Sequence, residues 1–274
     1  MIPIIYAGNK GAFDGIMISV LSLAKHSSQA LDIYILTMDL TEQKDVFLPM
    51  TEKHRNFLEA ICKEQNEESR VTLLDVGELY KSTLINSPNA QTSYTPYTFL
   101  RLFIDKLNLP DKVLYLDADT VINGDIVPLY NTDISEYEFG GVLDYYGKVF
   151  MGRKYVNAGV LLLNLEKIRE TSLFERVIEI LNKKKVFLPD QTALNKLVGK
   201  KLILQRKYNE QKHFRDDTVI QHFTKTIIWL PFFHTRNIKP WHVDDVKKRL
   251  THKYDDILNL YLEKKSQFEK EMTE

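Results

Sequence analysis

Residues 112–120 read Lys-Val-Leu-Tyr-Leu-Asp-Ala-Asp-Thr, an apolar run that stops at two carboxylates one residue apart. The run predicts a short buried strand, with Asp117 and Asp119 at its end. If the backbone turns after Asp117, both side chains converge, and their oxygens suit a hard divalent cation held against a diphosphate. The alternative is that the two aspartates merely start a turn, because Asp readily hydrogen-bonds its own backbone.

Strand-like and helical segments alternate through the first half of the chain. Apolar runs predict strands over residues 2–7, 31–38, 70–76 and 112–116. Apolar residues at helical spacing predict helices from Phe13 onward, over 41–65 with an interruption near Pro49, and over 95–107. This alternation predicts an α/β fold with a mainly parallel sheet flanked by helices. Such sheets bind ligands at the carboxyl ends of their strands.

The second half mixes shorter segments of both kinds. Strands are expected over 139–143, 160–163, 202–204 and 219–223, and helices over 166–184 and 190–198. No Gly/Ser/Pro-rich linker and no internal repeat interrupts the chain, so residues 1–242 are predicted to form one domain with an elaborated C-terminal half. The remaining segment, 243–274, predicts a charged amphipathic helical tail from its apolar residues Val246, Leu250, Tyr254, Ile257, Leu258 and Tyr261.

Composition narrows the class of protein. Apolar residues make up 44% of the chain, enough to fill a core. Lys+Arg and Asp+Glu both number 37, and this balance argues against nucleic acid as the main partner. The single cysteine, Cys62, excludes an intramolecular disulfide and a thiolate-rich metal site, and its apolar helical surroundings favour a buried thiol.

Location is predicted from the absence of targeting signals. The N-terminal run lacks a basic region, and no stretch of about 18 apolar residues occurs, so neither a signal peptide nor a transmembrane segment is expected. The tail carries seven Lys+Arg against eight Asp+Glu, without the basic excess that holds a helix to an anionic bilayer. We expect a cytoplasmic protein whose membrane association is weak at most, as peripheral contact at the inner face.

The Asp-x-Asp segment resembles that of glycosyltransferase family 8, the retaining transferases that include glycogenin and bacterial lipopolysaccharide galactosyltransferases. Further matches follow in the family's order over roughly residues 2–242: Ile-Ile-Tyr-Ala at 4–7, the helix containing Arg101, Asn-Ala-Gly-Val-Leu-Leu-Leu-Asn at 157–164, Pro-Asp-Gln at 189–191, and Lys-Pro-Trp at 239–241. The resemblance implies the glycosyltransferase A-type fold, a UDP-sugar donor and Mn²⁺, or Mg²⁺, as cofactor. It implies transfer of glucose or galactose, with retention, to a saccharide or glycoconjugate acceptor.

The resemblance also assigns roles to residues beside the metal pair. Arg101 would lie near the donor, where a guanidinium suits a phosphate or a carboxylate, although a structural ion pair is the alternative. Lys239 would neutralise phosphate, unless it is a solvated surface lysine. Ala7 and Ala118 would line the donor site. Asn9 stands where the family often carries an acidic residue that contacts uracil or ribose, and its amide can still hydrogen-bond uracil.

A second group is assigned to the transferred sugar. Asp144 matches the family's sugar-binding aspartate. Asn157, followed by the small pair Ala158-Gly159 that lets the backbone approach a ligand, offers a donor and an acceptor to sugar hydroxyls; the alternative is a plain turn into a strand. Asp190 and Gln191 would lie beside the anomeric carbon, although Asp190 could instead cap the helix that it opens.

Two histidines compete as the third metal ligand. His222 follows apolar β-branched residues and so has the strand context of the family's histidine, whereas His234 has the spacing, five residues before Lys239. A ligand must be held rigidly, which a strand end does better than a loop. We therefore favour His222, and residues 224–237 are interpreted as an insertion.

Retention of configuration needs either two inversions or attack on the same face as the leaving group. Gln191 is a poor nucleophile and Asp190 is the only carboxylate in that motif, so we favour same-face attack, with the leaving phosphate helping to deprotonate the acceptor. Two other functions remain open. A sugar-nucleotidyltransferase would have a fuller Gly-rich loop than residues 8–11 provide. A non-catalytic sugar-nucleotide-binding protein would be expected to have lost a metal carboxylate.

Overall fold

A computed structural model describes residues 1–90, 95–228, 234–249 and 252–273. Its strands are β1 (Ile2–Ala7), β2 (Leu31–Thr37), β3 (Arg70–Asp75), β4 (Lys112–Leu116), β5 (Thr120–Ile122), β6 (Phe139–Leu143), β7 (Val156–Asn164), β8 (Lys201–Ile203), β9 (Ile220–His222), β10 (Thr226–Ile228) and β11 (His234–Arg236). Its α-helices are α1 (Phe13–His26), α2 (Glu52–Gln65), α3 (Gly77–Thr83), α4 (Val127–Tyr130), α5 (Gly147–Phe150), α6 (Leu165–Thr171), α7 (Leu173–Lys183), α8 (Pro189–Leu197), α9 (Val243–Arg249) and α10 (Asp255–Thr273). Short 3₁₀ helices cover Lys10–Ala12, Pro96–Lys106 and Arg206–Tyr208.

The centre is a seven-stranded sheet in the order β3-β2-β1-β4-β7-β6-β8. Strands β3, β2, β1 and β4 run parallel, and β7 is antiparallel to both of its neighbours. Helices cover both faces, which confirms the predicted α/β fold with a mainly parallel sheet.

Successive side chains of each central strand point to opposite faces of the sheet, so the core has two layers, one on each face. On the paired strands β1 and β4, Ile4 and Leu114 enter the layer shared with α1, α2 and α10. Their neighbours Ile5 and Tyr115 enter the layer shared with α7, α8 and the 3₁₀ helix Pro96–Lys106. Because both faces of β1 and β4 are buried, each of these two strands reads as a nearly continuous apolar run.

Several predicted helices differ in extent from those observed. Residues 41–50 form turns, and α2 starts only after Thr51, whose side chain and that of His54 form a capping box. The predicted helix at 166–184 is two helices, because Ser172 adopts a left-handed conformation with φ 50°. The helix predicted at 95–107 is 3₁₀ rather than α over most of its length.

Strand predictions were incomplete in the second half. β7 begins at Val156, so Asn157 lies within a strand rather than at a turn before it. The pairing of β5 with β9 was not predicted, and residues 224–237, interpreted as a loop insertion, contain the antiparallel pair β10 and β11.

The C-terminal segment forms two helices, not one. In α10, the ring of Phe268 lies 4.6 Å from that of Phe13 and 4.9 Å from that of Phe57, so the helix packs on α1 and α2. Leu250 of the predicted stripe lies outside the described residues, and the division at residue 242 stays a prediction. Among the described helices, none combines the length and hydropathy that a membrane-spanning segment needs.

Candidate active site

The two aspartates meet a histidine where β4 ends. The amide of Asp117 donates to the carbonyl of Gly159 on β7 (2.8 Å), and the chain then turns into β5, whose Thr120 pairs with His222 on β9. Nε2 of His222 lies 3.1 Å from Oδ1 of Asp119 and 3.7 Å from Oδ2 of Asp117. Ligand atoms of the three residues all lie within 4.8 Å of one another, so the cluster could hold a metal ion.

Gly159 leaves the space in which the side chains of Asp117 and His222 lie close together. A Cβ at position 159 would lie 2.0 Å from Cε1 of His222 and 2.8 Å from Oδ2 of Asp117. No other residue fits without displacing both side chains, so Gly159 makes room for Asp117 and His222, a function beyond the approach to a ligand that was expected from the sequence.

A buried asparagine orients the histidine. Oδ1 of Asn209 lies 3.1 Å from Nδ1 of His222, while its Nδ2 donates to Oδ1 of Asn157 at 3.0 Å. Because that amide must accept at Oδ1, the bond favours the His222 tautomer with its proton on Nδ1. Nε2 is then left as a lone-pair donor facing the two carboxylates. Asn209 follows a 3₁₀ helix in irregular chain, where no sequence pattern pointed to it.

Arg101 is a buried link between two carboxylates. Its Nη2 donates to Oδ1 of Asp117 at 2.8 Å, its Nε lies 3.3 Å from Oδ2 of Asp190, and its plane stacks on Tyr115 at 4.4 Å. Burial acts to lower the pKa of Arg101, but the carboxylates and Tyr115 outweigh it and raise that pKa. Burial raises the pKa of Asp190, and the charge of Arg101 opposes this shift. The structural ion pair therefore exists, and it borders the cleft described below.

Lys239 pairs with the second aspartate of the candidate metal site. Its Nζ pairs with Oδ2 of Asp119 and donates to the carbonyl of Phe223 at 3.0 Å. Burial acts to raise the pKa of Asp119, but the ammonium of Lys239 opposes this and helps to hold that pKa well below its usual range.

A second set of hydrogen bonds lies beside the group formed by Asp117, Asp119 and His222. Oδ2 of Asp144 accepts from Nδ2 of Asn157 (3.0 Å) and from Nε2 of Gln191 (3.2 Å), and Oε1 of Gln191 accepts the amide of Ala158 (2.9 Å). Leu188 occupies the N-cap position of α8 and makes no side-chain capping bond, so Asp190 lies inside the first turn rather than at the cap.

A cleft of about 660 Å³ joins these groups, a size typical of a small-molecule site. Its lining includes the predicted residues Ala7, Asn9, Arg101, Asp117, Ala118, Asp119, Ala158, Asp190, Gln191, His222 and Lys239. Asp144 and Asn157 do not line the cleft, but each lies one hydrogen bond behind a residue that does: Asp144 accepts from Gln191, and Asn157 accepts the amide of Gly159. His234 is exposed on β11 and does not belong to the candidate metal site found among the described residues.

The topology and the site together define the glycosyltransferase A-type fold. A solved galactosyltransferase LgtC, in complex with donor and acceptor sugar analogues, superposes with a TM-score of 0.68 at 20% identity, covering 94% of this chain and 95% of that one. The family model described as Glycosyl transferase family 8 matches residues 3–245. The chain belongs to this family.

Curated relatives differ in length. Glycosyltransferase GlyA of Streptococcus pneumoniae serotype 4 is 30% identical over 78% of this chain, and the match spans only 29% of GlyA. Lipopolysaccharide glucosyltransferase WaaO of Escherichia coli K12 is 26% identical over 88% of this chain and 73% of its own length. The chain therefore corresponds to a fraction of GlyA and to most of WaaO.

Proposed function

We propose that the chain transfers a hexose, glucose or galactose, from a UDP-sugar to a hydroxyl of a saccharide or glycoconjugate, with retention and with a divalent metal. The observation that carries the proposal is the cluster of Asp117, Asp119 and His222 in a cleft that also presents Arg101 and Lys239. Family membership and the names of the relatives, a galactosyltransferase and a glucosyltransferase, support a hexose donor.

The residues present fit a divalent ion such as Mn²⁺ or Mg²⁺. Asp117, Asp119 and His222 would hold it, and Gly159 leaves open the space that a side chain would fill. Two carboxylates and one imidazole suit Mn²⁺ somewhat better than Mg²⁺, which prefers oxygen ligands alone. When bound, the ion supplies charge stabilisation to the departing diphosphate.

Arg101 and Lys239 border the same part of the cleft. Lys239 is held by one carboxylate oxygen and one carbonyl, so its ammonium is available to a phosphate placed beside Asp119. Arg101 is fully engaged by Asp117, Asp190 and the carbonyl of Ala158, so it acts by fixing the carboxylates in position.

The arrangement around Asp190 and Gln191 supports same-face attack. Asp190 is buried and its carboxylate pairs with Arg101, while both ends of the Gln191 amide are hydrogen-bonded. A carboxylate held by a buried guanidinium is a weakened nucleophile, and an amide is a poor one. The leaving phosphate is then the base that takes the proton of the acceptor hydroxyl.

The test is hydrolysis of UDP-glucose, UDP-galactose and UDP-N-acetylglucosamine with Mn²⁺. Asp117→Ala and Asp119→Ala should each lower the rate by at least about a hundredfold, because one lost ligand costs several kcal/mol of leaving-group stabilisation. Asp111→Ala is the matched control, since Asp111 lies at the opposite end of β4 with its side chain 68% exposed. The proposal fails if both variants keep more than about a tenth of wild-type activity with unchanged circular dichroism.

A further inference from the structure

One side of the cleft mouth is apolar and exposed. We define the rim surface as residues 145–154 and 184–187. Half of the ten exposed large apolar side chains of the described residues lie on it: Tyr145, Val149, Phe150, Met151 and Phe187. Val149, Phe150 and Phe187 are 71%, 68% and 70% exposed, so each has most of its surface in water without packing on the protein.

Contacts at the start of α8 hold the two segments of the rim surface next to each other. The hydroxyls of Tyr155 and Thr192 lie 2.7 Å apart, and Thr192 donates to the carbonyl of Phe187 at 2.6 Å. Leu188, the next residue, lines the cleft. The rim surface is therefore continuous with the edge of the candidate active site.

The rim surface is also strongly basic. Its fourteen residues contain no Asp or Glu and five cations: Lys148, Arg153, Lys154, Lys184 and Lys185. None of the five forms a salt bridge with another residue in the described part of the chain, and all five are exposed. In a chain with equal numbers of acidic and basic residues, this is a local excess of positive charge.

This combination identifies the chemistry of the partner. Lysine is depleted at protein–protein interfaces, whereas four of the five cations here are lysines. Nucleic acid would use the cations but would leave the exposed Val149, Phe150 and Phe187 without a role. Apolar side chains that enter an interface, surrounded by lysines that reach acidic head groups, are typical of contact with an anionic bilayer.

We propose that the rim surface docks on an anionic lipid surface and so presents the mouth of the cleft to that surface. The expectation of weak membrane contact drawn from the sequence considered residues 243–274 alone, which are not part of the rim surface. The proposal concerns binding and does not depend on the reaction that the site performs.

The experiment is co-sedimentation of the full chain, without donor or metal, with phosphatidylcholine vesicles containing about one-third phosphatidylglycerol at about 0.1 M salt. Phe150→Ser with Phe187→Ser removes the apolar part, and Arg153→Glu with Lys185→Glu reverses charge in both segments. The matched control combines Leu262→Ser and Lys270→Glu on α10, where Leu262 is 46% exposed. All these positions are exposed, so circular dichroism and thermal unfolding should match the wild type.

Both rim variants should lose at least about tenfold in vesicle partition, the control should stay within about twofold, and the wild type should bind pure phosphatidylcholine far more weakly. Higher salt should weaken vesicle binding by the wild type more than vesicle binding by the charge-reversal variant. The proposal is overturned if the folded wild type does not sediment with anionic vesicles, if it binds neutral vesicles equally, or if the α10 control loses as much binding as the rim variants.

Discussion

Asn209 should control metal affinity although it neither lines the cleft nor belongs to the candidate metal site. Its side chain accepts the Nδ1 proton of His222 and thereby aims Nε2 at Asp117 and Asp119. Both asparagine and histidine are almost completely buried, so water does not replace the bond when it is removed. Asn209→Ala is expected to weaken Mn²⁺ binding without abolishing it.

The size of the expected loss in Mn²⁺ affinity depends on which polar groups lose a hydrogen-bond partner in Asn209→Ala. Oδ1 of Asn157 also accepts the amide of Gly159 at 3.0 Å, so it stays satisfied in the variant. Only the Nδ1 proton of His222 is left unpaired, and one buried unsatisfied donor costs about 1–3 kcal/mol. The expected loss is therefore about tenfold to a hundredfold in the Kd for Mn²⁺, the range found when partners of ligating histidines are removed.

Isothermal titration of Mn²⁺ with UDP present measures the effect. Asn209→Asp keeps an acceptor for Nδ1 but loses the donor to Oδ1 of Asn157, so it should lose less affinity than Asn209→Ala. Asn164→Ala is the matched control, a buried asparagine that caps α6 away from the cleft. The reasoning is refuted if Asn209→Ala binds Mn²⁺ within about twofold of the wild type, or loses no more than Asn164→Ala.

Three further predictions follow from single positions. With UDP present, His222→Ala should lose about a hundredfold in Mn²⁺ affinity and His234→Ala less than about twofold, and a larger loss in the His234 variant would reverse the ligand assignment. Gly159→Ala should fold but bind Mn²⁺ at least about tenfold more weakly, whereas Gly124→Ala, where a Cβ meets nothing closer than 3.8 Å, should not; wild-type affinity in Gly159→Ala would contradict the steric argument. Burial lowers the pKa of His54 from 6.5 to about 4, so folding favours its neutral form and stability is lost as pH falls from 6.5 towards 4. Urea unfolding measures the free energy of unfolding at pH 7 and at about pH 4.5. Between these two pH values the wild type should lose about 1–2 kcal/mol more of this free energy than His54→Gln, and equal losses in the two proteins would contradict the assignment to His54.

Strands β1, β2 and β4 could be predicted because each is buried on both faces. β1 and β4 were predicted to the residue, since a buried parallel strand is an unbroken apolar run bounded by polar residues. The Asp-x-Asp pair follows from the same run, because it stands at the carboxyl end of β4. The family and fold predicted from these motifs are confirmed.

The rest of the site depends on pairings between distant residues, which periodicity does not encode. β5 and β9 have three residues each, too short for a period, yet their register places Thr120 opposite His222. Asn209 and Gly159 act through the positions of side chains that come from other elements. The roles assigned to the individual site residues stay predictions until the variants are measured.

Charge pairing within the cluster gives a physical reason why a cation fits there. One oxygen of each aspartate is occupied by a protein cation: Arg101 pairs with Oδ1 of Asp117, and Lys239 with Oδ2 of Asp119. The remaining oxygens, Oδ2 of Asp117 and Oδ1 of Asp119, both face Nε2 of His222. Two partly desolvated anionic oxygens and an imidazole lone pair then converge on one point, and the Arg101 and Lys239 pairs prevent the aspartates from turning away. The cations that partly neutralise the carboxylates therefore also orient the oxygens that would bind the metal.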